Sequence, residues 1–144
     1  MRKERLDTED IMAMVVGLHY PIAFKRYMSA RQKTVIHKIA EANTILERTF
    51  GVLLYSEDLI DLCNLAGMNR KDSKLFRSYE YLSVDQQRRL KNAFVGGFEK
   101  LGYSKESIYP LFHFVAYTAC ECLTREYVAA SVKRYIKQAS QLMF

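Results

Sequence analysis

The sequence Ile-Tyr-Pro-Leu-Phe-His-Phe-Val-Ala-Tyr-Thr-Ala-Cys-Glu-Cys-Leu, residues 108–123, is strongly apolar, and only His113, Thr118 and Glu121 in it are clearly polar. A helix that is apolar on every face is buried either among other helices or in a bilayer. At 16 residues, with Pro110 near its start, the stretch is shorter than the ~20 apolar residues that a membrane span needs. We therefore expect it to be the central helix of a soluble helical domain.

The composition is that of one globular domain. The chain has 144 residues, of which 49% are hydrophobic and 26% charged, so it can bury a core and is not a disordered tail. Its net charge of +6 permits contact with nucleic acid or an acidic membrane without establishing either. Residues 1–5 are charged with no apolar signal core after them, and the last residues offer no anchor. We expect a cytoplasmic protein without a transmembrane anchor.

Ahead of the central stretch, apolar residues recur at helical spacing. Asp7 or Thr8 is suited to cap a first helix, and Pro21 marks its weakening or a restart. A longer helix is predicted over residues 29–50, and Gly51 suits the left-handed position that ends it. The inner face of the first helix is predicted to consist of Ile11, Met14, Val15 and Leu18.

The remaining helix boundaries are indicated by capping residues. Ser56, Asn69 and Ser83 are suitable N-caps, and Ser107 as the N-cap of the central helix would place Pro110 at the third helical position, where its missing N–H costs nothing. Residues 52–55 are either helical or extended. In all we expect seven or eight helices and no strand. The inner face of the last helix, after Thr124, is predicted to be Tyr127, Val128, Ser131, Val132, Tyr135, Ile136 and Ala139.

No catalytic site, cofactor or metal site is predicted. His19, His37 and His113 are scattered and none belongs to a Glu-x-x-His pair, so we expect His113 to be a core residue. The three cysteines have no disulfide-framework spacing and are expected to be reduced, buried thiols. Gly96 and Gly97 lie inside a helical pattern and are expected to allow close helix packing or to line a groove.

A basic stripe on one predicted helix offers an alternative function. Arg70, Lys74 and Arg77 lie on one side of a helix that follows a turn, as in the recognition helix of a DNA-binding regulator. Residues 101–108 also have the form of the turn in a helix-turn-helix unit, although Pro110 would interrupt the second helix. Because runs of charge are more often solvated helix faces, we expect no nucleic-acid partner.

Residues 98–126 resemble the central homology region of the Bcl-2 (B-cell lymphoma two) family of apoptosis regulators. In that family a helix ends in Gly, a polar corner Asn-Trp-Gly-Arg follows, and a Phe-rich helix closes with Glu-Ser-Val. The compact size resembles the short homologues of large DNA viruses, and residues 42–50 are similar to the family's second helix. The positions that match in order are Gly102, Ile108, Phe112, Phe114 and Glu121.

The resemblance implies an all-α, Bcl-2-like bundle of seven or eight helices around a central apolar helix, formed by residues 1–144. It implies an inhibitor of apoptosis that binds the amphipathic death-motif helix of pro-apoptotic host proteins in a hydrophobic groove, in the cytoplasm or at the mitochondrial outer membrane. An empty apolar groove also favours a homodimer, and the same fold allows inhibition of immune signalling instead. The implied groove residues are Leu46, Phe50, Leu54, Phe94, Phe98, Ser104, Lys105, Glu106, Ser107, Ile108, Tyr109 and Phe112.

The polar corner departs from the family pattern. Where the family has an Arg that pairs with an Asp of the bound helix, this chain has Ser104, Lys105, Glu106 and Ser107. Glu106 replaces a Gly that lets the partner backbone come close, so we expect a narrower or more selective groove. Lys105 is the candidate for the missing positive charge.

Overall fold

The fold is all-α. The computed structural model describes residues 6–143, without the side chain of Met143. The predictions about a signal and an anchor include residues 1–5 and Phe144, which lie outside the described residues. Within this range there is no strand, only one isolated bridge between Tyr55 and Leu123. The eight α-helices are α1 Thr8–His19, α2 Pro21–Gln32, α3 Ala40–Ile45, α4 Ser56–Leu65, α5 Arg70–Leu75, α6 Val84–Lys100, α7 Lys105–Thr118 and α8 Arg125–Met143. Three 3₁₀ helices, Glu47–Thr49, Phe76–Tyr81 and Ala119–Glu121, complete the fold.

The first helix begins where the sequence predicts, but its buried face is different. The Asp7 carboxylate accepts a hydrogen bond from the Asp10 N–H at 3.0 Å, and the Asp10 carboxylate accepts one from the Asp7 N–H at 2.8 Å. This reciprocal pair is a capping box that fixes the start of α1. The predicted inner face is wrong for Ile11, Met14 and Leu18, which are exposed, while Asp10 and Val15 are buried.

The long helix predicted over residues 29–50 is wrong. The chain leaves α2 at Gln32 and becomes helical again only at Ala40, because His37 and Asn43 form a closed pair. The His37 N–H donates to the Asn43 side-chain oxygen at 2.8 Å, and the Asn43 amide donates to the His37 carbonyl at 2.9 Å. Such side-chain bonds to the backbone compete with helical ones. Gly51, at φ +90°, has the predicted left-handed conformation.

The central part of the chain follows its predicted boundaries more closely. Asn69 accepts from the Asp72 N–H at 2.8 Å, and the predicted capping box at Ser83 is present at the start of α6. Ser56 is not a cap but the first residue of α4, and its hydroxyl has no hydrogen-bond partner. Residues 52–55 are buried and not helical, Tyr55 is extended, and the Leu123 N–H donates to the Leu54 carbonyl at 3.1 Å.

Helix α7, the predicted central helix, is not enclosed on every side. It starts after Ser104 instead of Ser107, so Pro110 is its sixth residue and lies inside the helix. One face is buried, but Pro110, His113 and Tyr117 are exposed. α7 is therefore amphipathic, and the prediction of an apolar helix wrapped by its neighbours is wrong for its outer face. The buried face consists of Ile108, Leu111, Phe112, Val115 and Thr118.

Buried apolar side chains form two clusters. The aromatic cluster lies between α3, α4, α6 and α7 and is centred on Phe76, Phe94 and Phe112, whose ring centroids are 5.8–6.0 Å apart. The N-terminal cluster joins α1, α2, the start of α8 and three residues between the 3₁₀ helix Glu47–Thr49 and α4, which are Val52, Leu54 and Tyr55. Only Val128 and Ser131 of the predicted inner face of α8 are buried; Val132 is half-buried and the rest are exposed.

Candidate functional site

The apolar residues implied for a partner groove are mostly core residues. Phe50 is half-buried, and it shares the N-terminal cluster with Leu54, whereas the others belong to the aromatic cluster. The structure therefore does not bring them together on one open surface. Those with at most 2% of their surface exposed are Leu46, Leu54, Phe94, Phe98, Ile108 and Phe112.

The polar corner lies on the surface at the start of α7. Ser104, Lys105 and Glu106 are exposed and Ser107 is half-buried. Ser104 and Ser107 face each other, with 3.4 Å between their hydroxyl oxygens. Lys105 and the half-buried Tyr109, together with Lys91 and Glu99 of α6, line a cavity of about 280 Å³.

A second concave surface, of about 430 Å³, lies between the 3₁₀ helix Phe76–Tyr81, α6 and α7. We call it the α6–α7 trough. Its apolar lining includes Phe112, which is the one residue that the trough shares with the implied groove. The 3₁₀ helix is tied to α6, because the Gln87 side-chain amide donates to the Tyr79 carbonyl at 2.7 Å. The trough is lined by Tyr79, Glu80, Gln87, Lys91, Phe112, His113, Ala116 and Tyr117.

Aromatic rings and one cation set the chemistry of the trough. The Tyr79 and Phe112 rings meet edge to face, with centroids 5.8 Å apart, and burial raises the pKa of the Tyr79 hydroxyl. The Lys91 ammonium lies 5.0 Å from the centroid of the Tyr109 ring and 5.8 Å from that of Phe112. Aromatic rings at this distance attract a cation, so the two rings hold the Lys91 ammonium group in place and no carboxylate is needed. No carboxylate lies within 4.0 Å of Lys91 among residues 6–143.

The basic stripe lines a different and larger cavity. Arg70, Lys74 and Arg77 form part of the lining of a cavity of about 690 Å³ between α4, the segment 70–78 and the start of α8. Helix α5, which carries Arg70 and Lys74, has only six residues. DNA binding by this stripe stays the alternative hypothesis.

Several trough residues were not identified from the sequence. Tyr79, Lys91 and Tyr117 come from three separate elements, and only the tertiary structure places them side by side. His113 was predicted to be a core residue and is exposed at the trough. Cys120 was predicted to be buried and is exposed, whereas Cys63 and Cys122 are buried and all three are free thiols.

Neither a metal site nor a membrane span is found in the described part of the chain. Over residues 6–143, no three His, Cys, Asp or Glu side chains come together in a way that could hold a metal ion. In the same range no helix has the length and apolar character needed to cross a bilayer.

The chain matches no protein-family model, and neither a curated protein nor a solved structure matches it at a significant level. Membership of the Bcl-2 family therefore stays a hypothesis that is based on residues 98–126 and 42–50.

Proposed function

We propose that this protein is a Bcl-2-like inhibitor of apoptosis that binds the amphipathic death-motif helix of pro-apoptotic proteins in the α6–α7 trough. One observation carries the proposal. The segment that resembles the family, with Gly102 at φ +99° after α6 and Phe112 on α7, lies beside a concave surface to which Phe112 itself contributes. The arrangement of the eight helices as a Bcl-2-like bundle is part of the same proposal.

The trough suits the apolar side of an amphipathic helix. Such a helix inserts apolar side chains spaced three or four residues apart into a groove whose floor is apolar. Tyr79, Phe112 and Ala116 offer that floor, while Glu80 and Gln87 provide a polar rim. The buried residues Phe94, Phe98 and Ile108 then act behind the groove by holding α6 and α7 in place, without touching the partner.

Lys91 is the best-placed cation for the acidic residue of the partner helix. It lines both the trough and the smaller cavity at the corner, whereas Lys105 lines only the smaller cavity. Lys91 is half-buried and Lys105 is exposed, so an ion pair with Lys91 would be less screened by water. We therefore assign to Lys91 the role that the resemblance gives to the corner Arg.

A peptide-binding panel tests the proposal. Isothermal titration calorimetry with death-motif peptides should detect binding, and Ala116→Glu should abolish it by placing a charge on the apolar floor. Lys91→Glu should weaken binding roughly tenfold or more, since it replaces an attractive charge pair by a repulsive one. A peptide whose acidic residue is changed to Lys should recover affinity for the Lys91→Glu protein.

Lys133→Glu is a matched control, because Lys133 is exposed on α8 and lines none of the cavities described above. It should leave the affinity unchanged. No affinity for any peptide of the panel at high micromolar concentration would contradict the proposal. Homodimerisation through the α6–α7 trough stays a prediction, which sedimentation at high protein concentration tests.

A further inference from the structure

The largest of the cavities described above, of about 690 Å³, lies away from the α6–α7 trough and shares no lining residue with it. We call it the basic cavity. It combines three cations with four hydroxyl-bearing residues and an apolar patch formed by Leu59 and Ile60 of α4. The hydroxyl-bearing residues are Tyr20, Ser56, Ser78 and Thr124.

The cations of the basic cavity are not neutralised by the protein. Arg70 and Lys74 are one helical turn apart on α5, and Arg77 follows after three more residues, so like charges repel along this segment. None of the three has a carboxylate within 4.0 Å in the part of the chain that the structure describes. Asp72, the acid of α5, is instead held by Arg89, with both carboxylate oxygens at 3.0 Å.

Two acids also line the cavity, but they do not cancel its charge. Both carboxylate oxygens of Glu57 accept the Arg125 backbone N–H, at 2.8 and 2.9 Å, which fixes Glu57 at the start of α8. Glu126 lies in the first turn of α8. Three cations against two carboxylates leave the lining positive, which favours a ligand that carries negative charge.

A buried hydroxyl group provides an independent sign of a missing partner. The Ser56 side-chain oxygen is shielded from solvent, lines the cavity and has no hydrogen-bond partner. Buried polar groups in proteins are nearly always hydrogen-bonded, so an unpaired one needs an explanation. An oxygen of a bound anion would accept the Ser56 proton once the hydroxyl rotates toward the cavity.

We propose that the basic cavity binds a small phosphorylated molecule through Arg70, Lys74 and Arg77. Guanidinium groups match the oxygens of a phosphate group, and lysine adds a mobile point charge. The volume falls within the ~300–1,000 Å³ that is usual for small-molecule sites. Leu59 and Ile60 would contact the part of the molecule that carries the phosphate group.

The shape of the site favours a small molecule over duplex DNA. A recognition helix enters the major groove only if it protrudes from the protein surface. Arg70 and Lys74 instead contribute to the wall of a concave cavity, on a helix of only six residues. This inference does not depend on the helix-binding function proposed above.

Cys120 gives a direct reporter of ligand binding. It is the exposed thiol of the three cysteines and lines the basic cavity, whereas Cys63 and Cys122 are buried. Labelling by N-ethylmaleimide, followed by mass spectrometry, should therefore modify Cys120 first. Pyrophosphate and ATP should slow this labelling in a concentration-dependent way, and calorimetry should give the same dissociation constants.

Substitutions on α5 and the segment after it test which residues hold the phosphate groups. Lys74→Gln and Arg77→Gln should each weaken ATP binding by roughly tenfold or more, the usual effect of losing a hydrogen bond to a charged group. Lys71→Gln is the matched control, because Lys71 is exposed on the same helix but does not line the cavity. Ser56→Ala should also weaken binding, without lowering the stability of the free protein, because its hydroxyl has no partner to lose.

Three results would overturn the proposal. The first is that neither pyrophosphate nor ATP, at millimolar concentration, protects Cys120 or gives a heat of binding. The second is that binding occurs but Lys74→Gln and Arg77→Gln leave it unchanged. The third is that duplex DNA binds with a steep salt dependence while the small phosphates do not, which would instead favour the DNA-binding function.

Discussion

The two hydrophobic clusters are stabilised in different ways. At the centre of the aromatic cluster are rings in contact with rings, such as Phe76 against Phe94 and Phe112. The N-terminal cluster is built around a buried charge: the Tyr27 hydroxyl donates to the Asp10 carboxylate at 2.6 Å, and the Arg31 Nε atom is 3.1 Å from the same oxygen. Asp10 and Arg31 have side chains that are only 1% and 5% exposed.

The buried Asp10 of the N-terminal cluster explains how α1 is oriented. Burial of an ionised carboxylate is favourable only if partners replace the water that it loses. Tyr27 and Arg31 of α2 are those partners, and burial together with the Asp10 charge raises the pKa of the Tyr27 hydroxyl. With Asp10 turned inward, Met14 and Leu18 face outward. A polar contact thus determines which side of α1 is buried.

The largest effect is expected from removing the buried carboxylate of Asp10. Asp10→Ala should lower the free energy of unfolding by about 3–5 kcal/mol, because Tyr27 and Arg31 would stay buried without that carboxylate and the Asp7 N–H would lose its acceptor in the capping box. Urea denaturation followed by circular dichroism measures this loss. The control replaces the whole network, as Asp10→Leu with Tyr27→Phe and Arg31→Met, and should regain most of the stability apart from the ~1 kcal/mol that the capping box contributes. A triple variant as unstable as Asp10→Ala would show that the network does not act as a unit.

The same contrast shows what could be predicted from the sequence. Around the aromatic cluster, the N-caps Asn69 and Ser83 and the apolar spacing of α6 predict the helices correctly, since these signals are local. Near the N-terminal cluster, the pairing of Asp10 with Arg31 joins separate helices, and hydrophobic periodicity gives no sign of it. The break of the predicted helix at residues 33–39 depends on a similar polar contact, between His37 and Asn43.

The candidate site was predicted less well than the fold. Apolar residues of the implied groove, such as Phe94 and Ile108, are buried, because large apolar side chains are most often core residues. Lys91 and Tyr79 of the trough carry no motif, and their importance comes from being brought together by α6 and the preceding 3₁₀ helix. The basic stripe was recognised as a pattern, but its position in a cavity could not be inferred from spacing alone.

Asp58 is a second buried carboxylate near the N-terminal cluster, and it is less completely paired than Asp10. This incomplete pairing makes the free energy of unfolding depend on pH. Asp58 has one oxygen 3.5 Å from Arg48, while its other oxygen is buried without a partner. Burial outweighs the attraction of Arg48 and raises the pKa of Asp58 from 3.8 to about 6. The folded protein therefore binds the proton of the Asp58 carboxyl group more tightly than the unfolded chain does. The contribution of this group to the free energy of unfolding is fully present below pH 4 and is lost as the pH rises through 6.

Asp58→Asn should remove this pH dependence. Relative to the variant, the unmodified protein should lose about 2–3 kcal/mol of unfolding free energy between pH 4 and pH 7, since each unit of pKa difference corresponds to about 1.4 kcal/mol. Urea titrations of both proteins across this range give the difference directly. A difference that does not change with pH would mean that Asp58 is ionised in the folded state as readily as in the unfolded chain.

A glycine pair tests how closely the helices of the aromatic cluster approach each other. A Cβ atom at Gly97 would lie 1.9 Å from the Ala66 carbonyl oxygen, whereas one at Gly96 would have no atom within 4 Å apart from its chain neighbours and its own helix backbone. Gly97→Ala should destabilise the protein by about 1–3 kcal/mol, because α6 must move away from the end of α4. Gly96→Ala, the matched control, should be neutral or stabilising by up to about 1 kcal/mol. Equal effects of the two substitutions would contradict the close approach at Gly97.

The smallest effect is expected on the outer face of α1, and it decides between the predicted and the observed orientation of that helix. Leu18 is 68% exposed, although its spacing placed it on the inner face with Met14. Leu18→Ser should change the free energy of unfolding by no more than about 0.5 kcal/mol, as for most surface positions. Val16→Ala, at a fully buried position on the same helix, should cost about 1–3 kcal/mol. If urea denaturation gave the larger loss for Leu18→Ser, α1 would bury the face predicted by hydrophobic periodicity, and Asp10 would not determine its orientation.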